Sequence, residues 1–300
     1  MRDLRIAGPN SIELHLLDHG GTGPLVVLAH GFMEHAHVWD FVAPHLASAG
    51  FHPVALDWRG HGDSDRVGAG GYYHFADYIA DLAFVVRALG EPAVLVGHSM
   101  GGNACLLYAG TEPGRVAALV NIEGLGPPDS TPATAPERFA GWIDDLTGDM
   151  LRDHAQRTLS LAAAERRLAR NFPLWPAEAV RHMALHGTRP SGRERCWKVD
   201  PLHRTRSPQP FYAAQATHFW QRVDCPVLYL EGGRSLLSAA ALDIDHRVAA
   251  LTAERVRLAD SGHHPHLEHP EATARAILGF VQRVLPRAGA TKGSPLQGSP

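Results

Sequence analysis

The sequence predicts an α/β protein with a mostly parallel β-sheet, helices on both faces and an inserted helical cap. Short apolar segments of strand length, such as residues 25–29, recur along the chain and alternate with helical patterns of apolar residues. The strand signal fades between residues 124 and 222, where helical patterns dominate, and it returns after residue 223. Alternating strands and helices indicate a parallel sheet, and the interruption indicates an insertion into it.

Length and composition narrow the class of protein. The chain has 300 residues, of which 45% are hydrophobic and 20% are charged, so it can bury a sizeable core. Its net charge of −3 argues against a nucleic acid partner. No apolar run is long enough for a membrane span, and the N-terminus lacks the apolar segment of a signal peptide. We therefore expect a cytoplasmic protein, and the three widely spaced cysteines are expected to be reduced thiols.

The first part of the chain predicts most of the sheet. Residues 12–17 alternate apolar and polar side chains, which is typical of an antiparallel edge strand with one solvated face. Mostly apolar segments predict buried parallel strands over residues 25–29, 53–56, 94–96 and 116–122. Helices are predicted over residues 38–49 and 75–89, and a glycine closes each of them.

The rest of the chain predicts the insertion and the end of the sheet. Helical patterns in the insertion cover residues 137–146, 161–169, 177–186 and 211–221. Strands then follow over residues 225–230 and 255–258, and a helix over residues 271–285. We divide the chain into an α/β core of residues 1–123 and 223–286, a helical cap of residues 124–222, and a disordered tail of residues 287–300.

The motif Gly97-His98-Ser99-Met100-Gly101 carries the strongest chemical signal. A β-branched apolar run precedes it, and small, helix-compatible residues follow, so it predicts a strand, a sharp turn and a helix. The small glycines leave room for close packing around the turn. Such a turn presents the hydroxyl of Ser99 above the edge of the sheet, where it would act as a nucleophile.

Four motifs together resemble the α/β-hydrolase superfamily, and the resemblance covers about residues 10–285. They are His30-Gly31-Phe32, the Asp57 to Ser64 loop with its Arg-Gly-His-Gly sequence, the motif around Ser99, and Gly262-His263 followed by Leu267-Glu268 and Pro270. The resemblance implies a capped serine hydrolase of the esterase and lipase type. It also implies that Asp57 and the loop behind it are scaffold.

The resemblance assigns further residues to the chemistry. A serine hydroxyl needs a neighbouring base, and His263 occupies the histidine position of the family. The backbone N–H groups of Phe32 and Met100 would form the oxyanion hole, which stabilises the negative charge of the tetrahedral intermediate. We expect no metal in the catalytic step, because the histidines of His35-x-His37 and His263-His264-x-His266 are explained by the oxyanion loop and the base loop.

The acid that orients the histidine departs from the usual family pattern. Most relatives carry an Asp in the loop after the strand at residues 225–230, whereas Ser235 occupies that position here. Another branch of the superfamily places the acid after the strand that follows the nucleophile helix, which here ends at Glu123. We prefer Glu123, and the alternatives are Asp129, Glu231, Asp243 and Asp245.

These residues predict a serine hydrolase that cleaves a carboxylic ester, or a related acyl bond, through an acyl-enzyme on Ser99. The substrate is expected to be a small acyl compound with an apolar or aromatic group, and no cofactor is expected. The insertion carries 14 Lys and Arg against 10 Asp and Glu, which hints at an acidic substrate but is also explained by a solvated helix face. The alternative function is a ligand-binding or sensor protein that keeps the hydrolase scaffold with little or no turnover.

Overall fold

The computed structural model describes residues 1–149, 151, 157–235 and 243–285. Its main sheet has eight strands: β1 (Arg2–Ala7), β2 (Glu13–Asp18), β3 (Leu25–Ala29), β4 (His52–Leu56), β5 (Ala93–His98), β6 (Val116–Ile122), β9 (Val227–Gly232) and β10 (Glu254–Leu258). Their order across the sheet is β1-β2-β4-β3-β5-β6-β9-β10. The tail predicted over residues 287–300 lies outside the described residues.

The sheet is parallel from β4 to β10 and antiparallel at its N-terminal edge, where β1 pairs with β2 and β2 with β4. The mostly parallel sheet is thus confirmed, but residues 12–17 were wrongly predicted to be its edge strand. β1 covers that edge, and β2 is buried from Leu14 to Asp18. The error arose because β1 alternates charged residues with only a few apolar ones, a weak signal that becomes a strand through its ladder with β2.

The described ranges contain ten α-helices, which lie between and after the strands: α1 (Ala43–Ser48), α2 (Phe75–Leu89), α3 (Met100–Thr111), α4 (Ala135–Thr147), α5 (Leu161–Asn171), α6 (Ala177–His186), α7 (Ala213–Trp220), α8 (Ile244–Leu251), α9 (Pro265–Glu268) and α10 (Pro270–Val284). The single helix predicted over residues 38–49 is wrong. A 3-10 helix at Ala36–Trp39 precedes α1, because Pro44 in the first turn of α1 has no N–H for a continuous α-helix.

Two apolar clusters lie on opposite faces of the sheet, because side chains of a strand alternate in direction. Val27 and Ala29 of β3 pack with residues of α2, α3 and α8, whereas Val26 and Leu28 pack with residues of α1 and α10. The helices thus bury both faces of the parallel strands, and the carboxyl ends of the strands are left at one edge.

The segment between β6 and β9 contains α4 to α7 and a hairpin formed by β7 (Thr188–Ser191) and β8 (Glu194–Trp197). The hairpin was not predicted, since Pro190 weakens the strand signal of β7. The last of these helices, α7, packs on α3 and places Trp220 in the core cluster beside α2 and α3. The division into a core and a cap at residues 124 and 222 stays a prediction. No helix in the described ranges is both long and apolar enough to cross a bilayer.

Candidate active site

Ser99 lies in a strained turn between β5 and α3. Its backbone has φ 49° and ψ −115°, in the region that residues with a Cβ rarely adopt. Two backbone hydrogen bonds hold the turn: the Ser99 N–H donates to the Ile122 carbonyl at 2.8 Å, and the Asn103 N–H donates to the Ser99 carbonyl at 3.0 Å. Strain of this kind persists only where the surroundings enforce it, and it is common at functional sites.

Gly97 allows the turn to be this tight. A Cβ at residue 97 would lie 2.6 Å from the backbone carbonyl carbon of Gly101, closer than any real contact. The missing side chain therefore lets α3 begin directly against the end of β5. The local geometry matches the strand, turn and helix that the motif predicts.

Glu123 follows directly after β6, the neighbour of β5 in the sheet. Its φ of 57° is left-handed, a second strained residue at the same edge. Its buried carboxylate accepts hydrogen bonds from the Gly232 N–H at 2.7 Å and from the Ser235 hydroxyl at 2.5 Å. The last residue of β9 and the loop after it thus hold the carboxylate of the residue after β6, because these two strands are neighbours.

His263 lies in the loop between β10 and α9, and its Nδ1 is 3.2 Å from Oε2 of Glu123. The four alternative acids have other positions or partners within the described chain. Asp129 accepts the Ala213 N–H, Glu231 and Asp245 pair with Arg255, and Asp243 precedes the first residue of α8. Of the five acids that the sequence offered, the structure brings Glu123 into contact with the histidine ring.

Ser99 and His263 line one cavity of about 400 Å³, a volume typical of small-molecule sites. Its apolar walls come from the core and from the insertion, where Phe172, Trp175 and Met183 contribute. Phe32 also lines it, with half of its surface exposed. The cavity can therefore hold an apolar group beside the hydroxyl of Ser99.

The two backbone amides expected to form an oxyanion hole lie at this edge of the sheet. Phe32 follows β3 by three residues, and Met100 is the first residue of α3. Within the described part of the chain, neither N–H donates a hydrogen bond to a protein group. Each amide is thus open to a ligand, as an oxyanion hole requires.

A buried ion pair ties the loop after β3 to the loop that carries His263. Glu34 accepts the Gly31 N–H at 2.7 Å and lies 3.0 Å from Nδ1 of His98. The Nε2 of His98 faces the carbonyl oxygen of His263 at 2.8 Å. Because both ring nitrogens of His98 face acceptors, the doubly protonated, positively charged ring is the form that satisfies both contacts.

The environment of this pair shifts both pKa values. Burial opposes the charge on His98, but the adjacent Glu34 carboxylate outweighs it, and the pKa of His98 is raised. Burial alone would also raise the pKa of Glu34, yet the His98 charge and a hydrogen bond from His264 hold it well below its usual range. Both groups are therefore ionised in the folded protein at mildly acidic pH.

We expect Glu34→Gln to lower the free energy of unfolding by about 3–5 kcal/mol, because it leaves the charge of His98 buried and unpaired. Glu34 contributes above its unfolded pKa near 4.5 and loses this contribution as pH falls through its lowered folded pKa. His98 contributes fully below its unfolded pKa near 6.5 and loses this contribution as pH rises through its raised folded pKa. The deficit of the variant should thus be largest between these pH values, measured by urea unfolding across a pH series.

The exposed Glu271→Gln on α10 is the control, and its free energy of unfolding should stay within about 0.5 kcal/mol of wild type. An equal deficit for Glu34→Gln at all pH values would contradict the ionised pair.

Sequence reasoning missed how three residues support the site. His98 and Glu34 carried no signal of their pairing, since they are 64 positions apart in the chain. Ser235 was recognised in the usual acid position, but its hydrogen bond to Glu123 depends on the neighbouring strands. Only the tertiary structure brings these groups together.

Three groups of described side chains have the residue types and spacing of metal ligands: Glu34, His98 and His266; His15, Asp57 and Asp63; and His37, His182 and His186. In the first group Glu34 pairs with His98, and in the second Asp57 pairs with His15 at 2.7 Å. These two groups are explained as hydrogen-bonded scaffold. The absence of a metal from the catalytic step stays a prediction.

The family model described as alpha/beta hydrolase fold matches residues 24–270. A 2-(acetamidomethylene)succinate hydrolase of Mesorhizobium japonicum is 30% identical over 87% of this chain and 89% of its own length. Epoxide hydrolase A of Mycobacterium tuberculosis is 41% identical, but over 39% of this chain and 37% of its own. Among solved structures, a thioesterase domain from the curacin biosynthetic pathway has a TM-score of 0.82 and 26% identity, covering 93% of this chain and 99% of that one.

Proposed function

The chain belongs to the α/β-hydrolase family, and from this premise we propose that it is a serine hydrolase that cleaves a carboxylic ester or related acyl bond. The observation that carries the proposal is the 3.2 Å contact between Nδ1 of His263 and the buried Glu123, beside a cavity that Ser99 also lines. A histidine that a buried acid orients is the base that a serine nucleophile needs, and this supports the proposal.

The mechanism assigns one step to each residue. Nε2 of His263 takes the proton of Ser99 while Oγ attacks the substrate carbonyl, and Glu123 accepts the Nδ1–H and stabilises the imidazolium. The N–H groups of Phe32 and Met100 bind the oxyanion. His263 then protonates the leaving group, which departs and leaves the acyl-enzyme. Water, deprotonated by His263, attacks the acyl-enzyme and releases the acid and free Ser99.

Epoxide hydrolysis, which the names of some relatives suggest, is less well supported than cleavage of an acyl bond. An epoxide opened by a serine hydroxyl would give an ether, which water cannot cleave at a carbonyl carbon. The match to epoxide hydrolase A also covers little more than a third of the chain. An amide bond is a stronger second candidate, because the similarity to 2-(acetamidomethylene)succinate hydrolase covers most of both chains and the same residues would cleave it.

A fluorophosphonate probe tests the proposal against the sensor alternative. We expect the probe to label the wild-type protein and Ser207→Ala, whose serine is exposed in the insertion, but not Ser99→Ala. The reason is that the probe reacts with activated serines and not with ordinary ones. Folded wild-type protein that stays unlabelled, and hydrolyses no ester, thioester or amide of a graded panel, would favour a non-catalytic binding protein.

A further inference from the structure

Two arginines of the insertion line the cavity that Ser99 and His263 share. Arg167 lies on α5, and Arg204 ends a short 3-10 helix, Pro201–Arg204. Both are half-buried, and within the described ranges neither lies at ion-pair distance from a carboxylate. Arg206, two residues further on, differs in this respect because it pairs with Asp145 at 2.9 Å.

A second cavity, of about 160 Å³, shares these two arginines with the first. It adds three more arginines to its lining: Arg66, Arg157 and Arg189. No acidic side chain of the described residues lines it. The five arginines therefore form a cluster of positive charge where the two cavities meet.

The other charged groups of the first cavity are already compensated. Lys198 pairs with Asp63, and Glu34 lies between His98 and His264. The guanidinium groups of Arg167 and Arg204 thus supply the uncompensated charge, which is positive.

Half-buried like charges destabilise one another unless an anion lies between them. Burial and the charges of Arg167 and Arg157 lower the pKa of Arg204, which is the expected sign of such repulsion. The Arg167 guanidinium also lies 6.0 Å from the ring centre of Trp197, which restricts its movement. A planar guanidinium held in this way is suited to bidentate binding of a carboxylate or phosphate.

We propose that Arg167 and Arg204 form an anion-binding subsite of the active-site cavity, and that the substrate carries a carboxylate or phosphate in addition to its acyl bond. The inference rests on the proposed function, since it places the acyl bond at Ser99. The apolar walls from Leu168, Phe172 and Trp175 receive the body of the substrate. The substrate is thus an apolar acyl compound with an anionic group. This agrees with the acidic substrate at which the charge balance of the insertion hinted.

Two pairs of substrates separate the sources of the anion. The p-nitrophenyl half-ester of adipic acid and p-nitrophenyl hexanoate have the same chain length and differ by a terminal carboxylate. S-Hexanoyl-4′-phosphopantetheine and S-hexanoylpantetheine have the same thioester and differ by one phosphate of the leaving group. We expect kcat/KM to be at least about 10-fold higher for the anionic member of one pair, because a charged hydrogen bond contributes this much.

Glutamine substitutions then assign the preference to the two arginines. Arg167→Gln and Arg204→Gln should each lower kcat/KM for the anionic member by about 10- to 100-fold more than for the neutral member. The lysine variants should retain part of the preference, since lysine keeps the charge but not the planar fork. Arg170→Gln is the matched control, because Arg170 is exposed on the same helix and lines neither cavity.

Calorimetry with Ser99→Ala gives a readout that does not depend on turnover. Methyl hydrogen adipate or inorganic phosphate should bind more tightly than methyl hexanoate, and the double Gln variant should lose the difference. Equal binding of all three probes, or an anion preference that survives in the double variant, would overturn the subsite. Failure of the proposed function gives a different result: no labelling and no turnover, with arginine-dependent anion binding intact.

Discussion

The Ser99→Ala substitution is expected to lower kcat for the best acyl substrate by about 10⁴- to 10⁶-fold, because no other group can form the acyl-enzyme. The KM should change little, since the cavity walls and the arginines keep their positions. Single-turnover measurements should show the same loss, as the missing step is acylation itself. The substitution should leave the free energy of unfolding nearly unchanged, because the alanine adopts the same positive-φ backbone as the serine it replaces.

This result counts only if the Ser99→Ala protein is folded and its turn is intact. Ser99→Ala should unfold at a denaturant concentration close to that of wild type and should give the same circular dichroism spectrum. Activity within about 10-fold of wild type, in a sample free of wild-type enzyme, would exclude Ser99 as the nucleophile.

Glu123→Gln is expected to lower kcat by about 10⁴-fold while Ser99 and His263 stay in place. The glutamine amide can offer its N–H₂ to Nδ1 of His263, which favours the tautomer that has its proton on Nε2. A ring in that tautomer cannot accept the proton of Ser99. It also loses the negative charge that stabilises the imidazolium during the reaction. The measurement is kcat on the same ester, with fluorophosphonate labelling rates as a second readout.

Ser235→Ala is the comparison that separates the charge of Glu123 from its position. It removes one hydrogen bond to the carboxylate and leaves those of Gly232 and His263. We expect a loss of about 10-fold, from a carboxylate that is less firmly held. A Glu123→Gln variant that loses no more than Ser235→Ala would show that another acid orients the histidine.

Local sequence patterns predicted the parts of the fold whose stability is local. The apolar run of β3 and the periodic helix α2 were found because burial on both faces, or on one stripe, leaves a repeating signal. The edge strand β1 and the hairpin of β7 and β8 left no such signal. They are strands because a partner offers them a hydrogen-bonding ladder, and pairing is not encoded in either segment alone.

The same distinction applies to the candidate site. The turn at Ser99 was predicted because its glycines, strand and helix are contiguous, and the position of His263 followed from the resemblance to the family. The preference for Glu123 over four other acids came from the resemblance to one branch of the superfamily, because a local pattern does not show which carboxylate meets the histidine. The pairing of β6 with β9 supports this preference, because it places Glu123 beside Gly232 and Ser235 and its carboxylate is 3.2 Å from the His263 ring.

The sequence by itself determined the α/β class, the parallel strands and the turn that presents Ser99, because these depend on side chains within a few positions of one another. The tertiary structure alone decided which carboxylate contacts His263, that Glu34 and His98 form a buried pair, and that Arg167 and Arg204 face one cavity. The physical reason is that these are interactions between charged or polar groups far apart in the chain. Their energy depends on distance and burial, which are properties of the folded chain and not of its local pattern.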